Sequence, residues 1–91
     1  MSLDPRRVVL LKPIVVNIAE IYIPTERRKD LVPEKVDIVA EKIMEEDEQQ
    51  PIHVRQGKDR YVLVKGIHRL EARKALGDET IQAFIVGARL H

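Results

Sequence analysis

Lys65, His68 and Arg69 crowd around a single glycine in the stretch Lys65-Gly66-Ile67-His68-Arg69-Leu70. An apolar, strand-like run (Tyr61–Val64) precedes it and a helix-like run (Leu70–Leu76) follows. Glycine at such a junction lets a ligand approach the backbone. The first N–H groups of the helix have no partner inside it, and they point outward with the positive end of the helix dipole. The chemistry this arrangement suits is anion binding, and the phosphates of a nucleotide are its natural occupant.

Each side chain adds something different. Arg69 offers a planar fork matched to phosphate oxygens, whereas Lys65 supplies a flexible point charge. His68, in the first helical turn, would donate to a phosphate or act as a general acid or base near neutrality. Ile67 contributes its backbone N–H. Upstream, Thr25-Glu26-Arg27-Arg28-Lys29-Asp30 reads as a polar, charged loop with no apolar period. Arg27 or Arg28 would close the site from there, and Glu26 would serve as a base or a magnesium ligand.

Plainer readings stand beside these. Gly66 also suits a tight turn, and Arg69 an ordinary ion pair with Glu71 or Asp47. Lys65, Arg27 and Arg28 also suit a solvated surface. Glu41 falls off the apolar stripe of its helix, and His53 alternates to the face opposite Ile52 and Val54. Three scattered His and no Cys do not make a transition-metal site.

Positioning these groups falls to a small domain. The 91 residues are 44% hydrophobic but hold only two Tyr, one Phe and no Trp, so Val, Ile and Leu must build the core. The net charge of +1 gives no global pull toward DNA or an anionic membrane. Without Cys, thiol chemistry and disulfides are excluded. No stretch reaches the ~18 apolar residues that span a bilayer, and Lys12-Pro13 break the short apolar run near the start. The chain therefore reads as cytoplasmic, with no membrane partner. Met1-Ser2-Leu3 suits a native start or a vector remnant equally, which leaves open a fragment of a longer protein.

The apolar pattern predicts strands over Val8–Leu11 and Ile14–Ile18, with Ala19–Ile23 continuing in extended form to Pro24. Pro33 opens a helix whose Val36, Val39, Ala40, Ile43 and Met44 form one buried stripe. The acids Glu45-Glu46-Asp47-Glu48 oppose the negative end of its dipole and should fray it. Pro51–Arg55 and Tyr61–Lys65 flank a polar, glycine-containing loop and read as a hairpin. A second helix over Ile67–Leu76 would pack Leu70, Ala72, Ala75 and Leu76, with Gly77 as its C-terminal cap, before a last strand over Ile81–Val86. The fold class is α+β, a small mixed sheet with two main helices packed against one of its faces, in a single domain over residues 1–91.

Several segments resemble the ParB/sulfiredoxin superfamily, over roughly residues 14 to 86. Gly66-x-His68-Arg69 follows the hairpin and leads into Leu70-Glu71-Ala72-x-x-Ala75-Leu76-Gly77. Ile23-Pro24 with Arg27-Arg28 resembles the I-P…R segment of ParB N-terminal domains, Leu31–Ile43 their following helix, Gln50-Pro51-Ile52-x-Val54 their Q-P-I-x-V strand, and Ile81 to Val86 their closing strand. The resemblance implies an α+β nucleotide-binding domain. In sulfiredoxins the motif is G-C-H-R, whose cysteine does the chemistry; Ile67 stands there, which implies no sulfinic-acid reductase activity. In chromosome-segregation ParB proteins it is G-E-R-R, a triphosphate clamp for CTP, of which Gly66 and Arg69 are kept. Free-serine kinases carry P-H-E and D-G-H-H-R, partly matched by Pro24-Thr25-Glu26 and by Gly66-Ile67-His68-Arg69, with Lys65 replacing the Asp.

The expected function is therefore a nucleoside-triphosphate-binding module or switch, with magnesium accompanying the phosphates and a homodimer as an available assembly. A phosphotransferase or nucleotide hydrolase using Glu26 or His68 as base is the enzymatic alternative. A DNA-binding or nuclease role is another, although the helix-turn-helix that follows this region in ParB proteins is not in this sequence. DNA would then be reached only through a partner or a missing domain. A scaffold that has lost its ligand and serves as an interaction module is the blandest reading.

Overall fold

The computed structural model describes residues 12–46 and 49–87. Strand β1 (Ile14–Asn17) leads through a 3-10 turn (Ile18–Glu20) into the short β2 (Ile21–Tyr22). Helices α1 (Thr25–Arg28) and α2 (Pro33–Glu46) follow, then the hairpin strands β3 (Ile52–Gln56) and β4 (Tyr61–Lys65). Helix α3 (Ile67–Ala75) and strand β5 (Thr80–Ile85) complete the order. One sheet runs β1-β5-β3-β4-β2. It is mixed: β1/β5 and β3/β4 are antiparallel, β3/β5 and β4/β2 parallel. The α+β expectation holds.

Period-two alternation builds the core. Ile52 and Val54 of β3 are buried with Leu63, Ile81 and Ala83 from its neighbours, and Ile67 and Leu70 of α3 join the same cluster. His53, between Ile52 and Val54, turns to the other face, where its ring meets Phe84 edge-on at 5.6 Å. Arg60, in the hairpin loop, lies 3.9 Å over the ring of Tyr22 and ties edge strand β2 to that loop.

Helix α3 ends as its sequence dictates. Gly77 has φ 88°. The amide of Asp78 donates to Arg73 O and that of Gly77 to Lys74 O, both at 3.0 Å. This Schellman pair is reinforced by a 2.9 Å ion pair between the Arg73 and Asp78 side chains.

Five expectations need correction. Thr25–Arg28 is a helical turn rather than an irregular loop, because Pro24 O accepts from the amides of Arg27 and Arg28 and starts the turn. The extended run over Ala19–Ile23 is interrupted by the 3-10 turn. Helix α2 packs chiefly against α3 rather than on the sheet. A helix covered on one side buries a narrow stripe: Ile43 is buried, Val36, Val39 and Ala40 are half-buried, and Met44 is 70% exposed. Ala75 is exposed as well, at the rim of the groove between α2 and α3. The strand expected at Val8–Leu11 and the fraying expected at Asp47 and Glu48 lie outside the described residues, as does His91.

Leu70→Ala should therefore cost about 3 kcal/mol of stability, and Met44→Ala less than about 0.5 kcal/mol. Urea denaturation of the two variants checks this ranking, and comparable losses would contradict the packing described.

Candidate functional site

The turn between β4 and α3 is built around Gly66, with φ 111° and ψ 31°. A Cβ there would also lie 2.7 Å from Ile52 Cγ2 and 2.9 Å from Ile52 Cβ. The glycine is thus needed twice, for its left-handed backbone and for its close seat on the core strand. The side from which a Cβ would project faces Ile52, so the ligand approach expected of this glycine does not lie on that side.

What the turn presents outward is the start of α3. Its first intrahelical bond runs from Leu70 N–H to Gly66 O at 2.9 Å. The amides of Ile67 and His68 come before it and have no acceptor within the helix. No side chain caps this end, and its first turn carries no acid. The positive end of the dipole is therefore left uncompensated by the helix's own residues.

The side chains of the motif diverge. Ile67 is buried in the core cluster, so only its backbone can meet a ligand. Lys65 is exposed at the end of β4, opposite His53 in register. Arg69 is half-buried and donates to Gln50 Oε1 at 3.3 Å, which ties the first turn of α3 to the segment entering β3. His68 accepts at Nε2 from the backbone N–H of Val32, at 3.0 Å. The segment joining α1 to α2 is thereby fastened to the start of α3.

Glu26 and Arg27 line a different feature. With Pro24, Arg55, Val62 and Val64 they border a cleft of about 420 Å³, a lining that does not include residues 65–69. Arg27 sits 3.6 Å from Asp30, both well exposed, an arrangement worth little in water. Arg28 is exposed and does not line the cleft. The structure thus separates a cationic turn (Lys65 to Arg69) from a cleft lined by Glu26 and Arg27, and the His68–Val32 bond ties the turn to the segment between α1 and α2. Arg55 was missed by sequence reasoning. Its signal was the alternation of β3, which puts it two residues after His53 on the face away from Ile52 and Val54.

Among the described residues no three His, Cys, Asp or Glu side chains converge as a metal site, and no helix is long and apolar enough to cross a membrane.

The family model of the ParB N-terminal domain matches residues 13–89 of the sequence. The chain belongs to the ParB N-terminal domain family. Among solved structures it is similar to sulfiredoxin from Arabidopsis thaliana, with TM-score 0.73, 27% identity, and coverage of 85% of this chain and 86% of that one. A free serine kinase in complex with AMP gives TM-score 0.70 at 17% identity, over 84% of this chain and 31% of the kinase. The C-terminally truncated chromosome-partitioning protein ParB from Caulobacter crescentus, complexed with CTP-gamma-S, gives TM-score 0.71 at 23% identity, over 86% and 46%. This chain therefore spans less than half of either of those two proteins. A search of curated proteins finds no match.

Gly66→Ala should destabilise by about 2–4 kcal/mol, combining left-handed strain with overlap on Ile52. Gly77→Ala adds a Cβ that meets nothing within 4 Å, so it should cost only the strain of about 1–2 kcal/mol. Thermal unfolding of both variants tests the difference, and an equal loss would remove Ile52 from the account.

Proposed function

We propose that this ParB-like domain binds a nucleoside triphosphate through its phosphates and works as a binding or switch module. The observation that carries the reading is the start of α3, an uncapped, acid-free helix terminus with Lys65 and Arg69 beside it. The amides of residues 67–69 would meet phosphate oxygens, with Lys65 and Arg69 supplying charge. Arg69 now holds Gln50 at 3.3 Å, and a phosphate is the stronger acceptor for a guanidinium than a neutral amide. Arg27 or Arg28 would close the site from the α1 side. The nucleotides named in the similar kinase and ParB structures support the same ligand class.

Magnesium fits this reading, because it is held largely by phosphate oxygens and water and needs few protein carboxylates. Glu26 is the carboxylate offered to it. Since α1 is already helical, the switch would act by moving a formed turn rather than by ordering a loop. Dimerisation and any approach to DNA would be downstream of that movement, through a partner or a further domain. A phosphotransferase reading draws on one observation, the shared cleft of Glu26, Arg27 and Arg55, where a carboxylate sits beside cations able to hold an anionic acceptor.

Isothermal titration with ATP, CTP and GTP plus magnesium should give saturable heat with at least one of them. Arg69→Ala should weaken that binding by about 1.5–3 kcal/mol. A folded protein giving no heat with all three would overturn the proposal, and an unchanged dissociation constant in the variant would remove Arg69 from the site. Phosphate release that disappears in Glu26→Gln while binding persists would establish the enzymatic reading instead.

A further inference from the structure

We infer that His68 is a positioning residue whose neutral ring caps helix α2 from outside that helix, so that Nε2 is not a phosphate ligand. Val32 is the N-cap of α2, since its carbonyl accepts from the amides of Lys35 and Val36 at 2.9 and 3.3 Å. A helix start is normally secured by a pair of local bonds. The N-cap side chain accepts from the third helical amide, and the side chain at that third position accepts from the N-cap amide. Neither is available here. The valine side chain has no acceptor, and the third helical residue, Lys35, carries an ammonium that can only donate.

His68 supplies the second half of that device from α3, taking the Val32 N–H at 3.0 Å across 36 residues of sequence. Two consequences follow from the donor direction. An Nε2 that accepts carries no hydrogen, so the ring is uncharged and its proton resides on Nδ1. With no hydrogen on Nε2, that atom has nothing to donate to a phosphate oxygen. His68 thus faces two ways, giving its backbone amide to the helix start and its ring to the neighbouring helix. Helix α2 buries little of its own surface, with Ile43 its one fully buried residue. The tether therefore adds a polar hold on the helix start beside the packing of Leu31 against the core.

The last step rests on the phosphate-binding reading: by holding the beginning of α2 against the turn, the tether keeps the binding geometry formed before a ligand arrives. The experiment uses the 15N-labelled full chain. The scalar coupling between the Val32 amide nitrogen and His68 Nε2 is measured across the hydrogen bond, together with the ring tautomer, with and without Mg-ATP. The coupling should be present in both states, with the proton on Nδ1. H68A should abolish protection of the Val32 amide and weaken Mg-ATP binding by about tenfold, the scale of one lost hydrogen bond. H68Q, whose side-chain oxygen lies near the position of Nε2, should recover most of both.

No coupling in the ligand-free chain would overturn the inference, as would a coupling lost on Mg-ATP binding or equal defects in H68Q and H68A. Should Mg-ATP, Mg-CTP and Mg-GTP all fail to bind, the phosphate-binding reading falls by itself. The ligand-free coupling and tautomer would then still uphold or overturn the tether.

Discussion

The seating of Gly66 on Ile52 is the contact on which the rest of the molecule turns. Ile52 is almost fully buried in β3, which β5 and β4 flank in the sheet. The chain leaves β4 and enters α3 directly over it. Only a residue without a Cβ can pass so close, and only a backbone free to adopt positive φ can make the change of direction. That passage sets where α3 begins, and hence where its first amides point. It also drops Ile67 and Leu70 into the core, which holds the helix at the angle the turn requires.

Helix α3 is the middle of the structure in a second sense. The sheet lies on one side of it and α2 on the other, so α2 is held at one remove from the core. A helix in that position gains less from burial than one lying on a sheet and depends more on bonds at its end. Ile38, on the side of α2 away from α3, is 56% exposed. The start of α3, itself seated on the core, also sends polar ties outward. Arg69 reaches back to Gln50 and His68 reaches across to Val32. The residues that look most chemical in the sequence therefore also join the layers.

This double use bears on how one domain type can carry different chemistries. The backbone geometry of the turn is a packing requirement and would persist without a ligand. What varies is the side chains it displays. Here position 67 is an apolar core residue, so at that position the turn displays only a backbone amide, beside the cations of Lys65 and Arg69. The cleft with Glu26, Arg27 and Arg55 is a separate feature, lined by residues outside the turn.

Much of this was readable from the sequence. The β3–β4 hairpin, the two main helices, the Gly77 cap and the cationic glycine turn all follow from local periodicity and from residues whose backbone or side-chain chemistry acts within a few positions. The α1 turn was hidden because Thr25–Arg28 has no apolar period, and its helical form comes from Pro24 O finding two amides. Met44 was misplaced because periodicity reports which side of a helix is apolar, not how wide a neighbour covers it. The second reason for Gly66, the partner of the His68 ring and the place of Arg55 depend on residues distant in sequence. Those distances are set by sheet order and by the stacking of α2 on α3, and no local pattern encodes them.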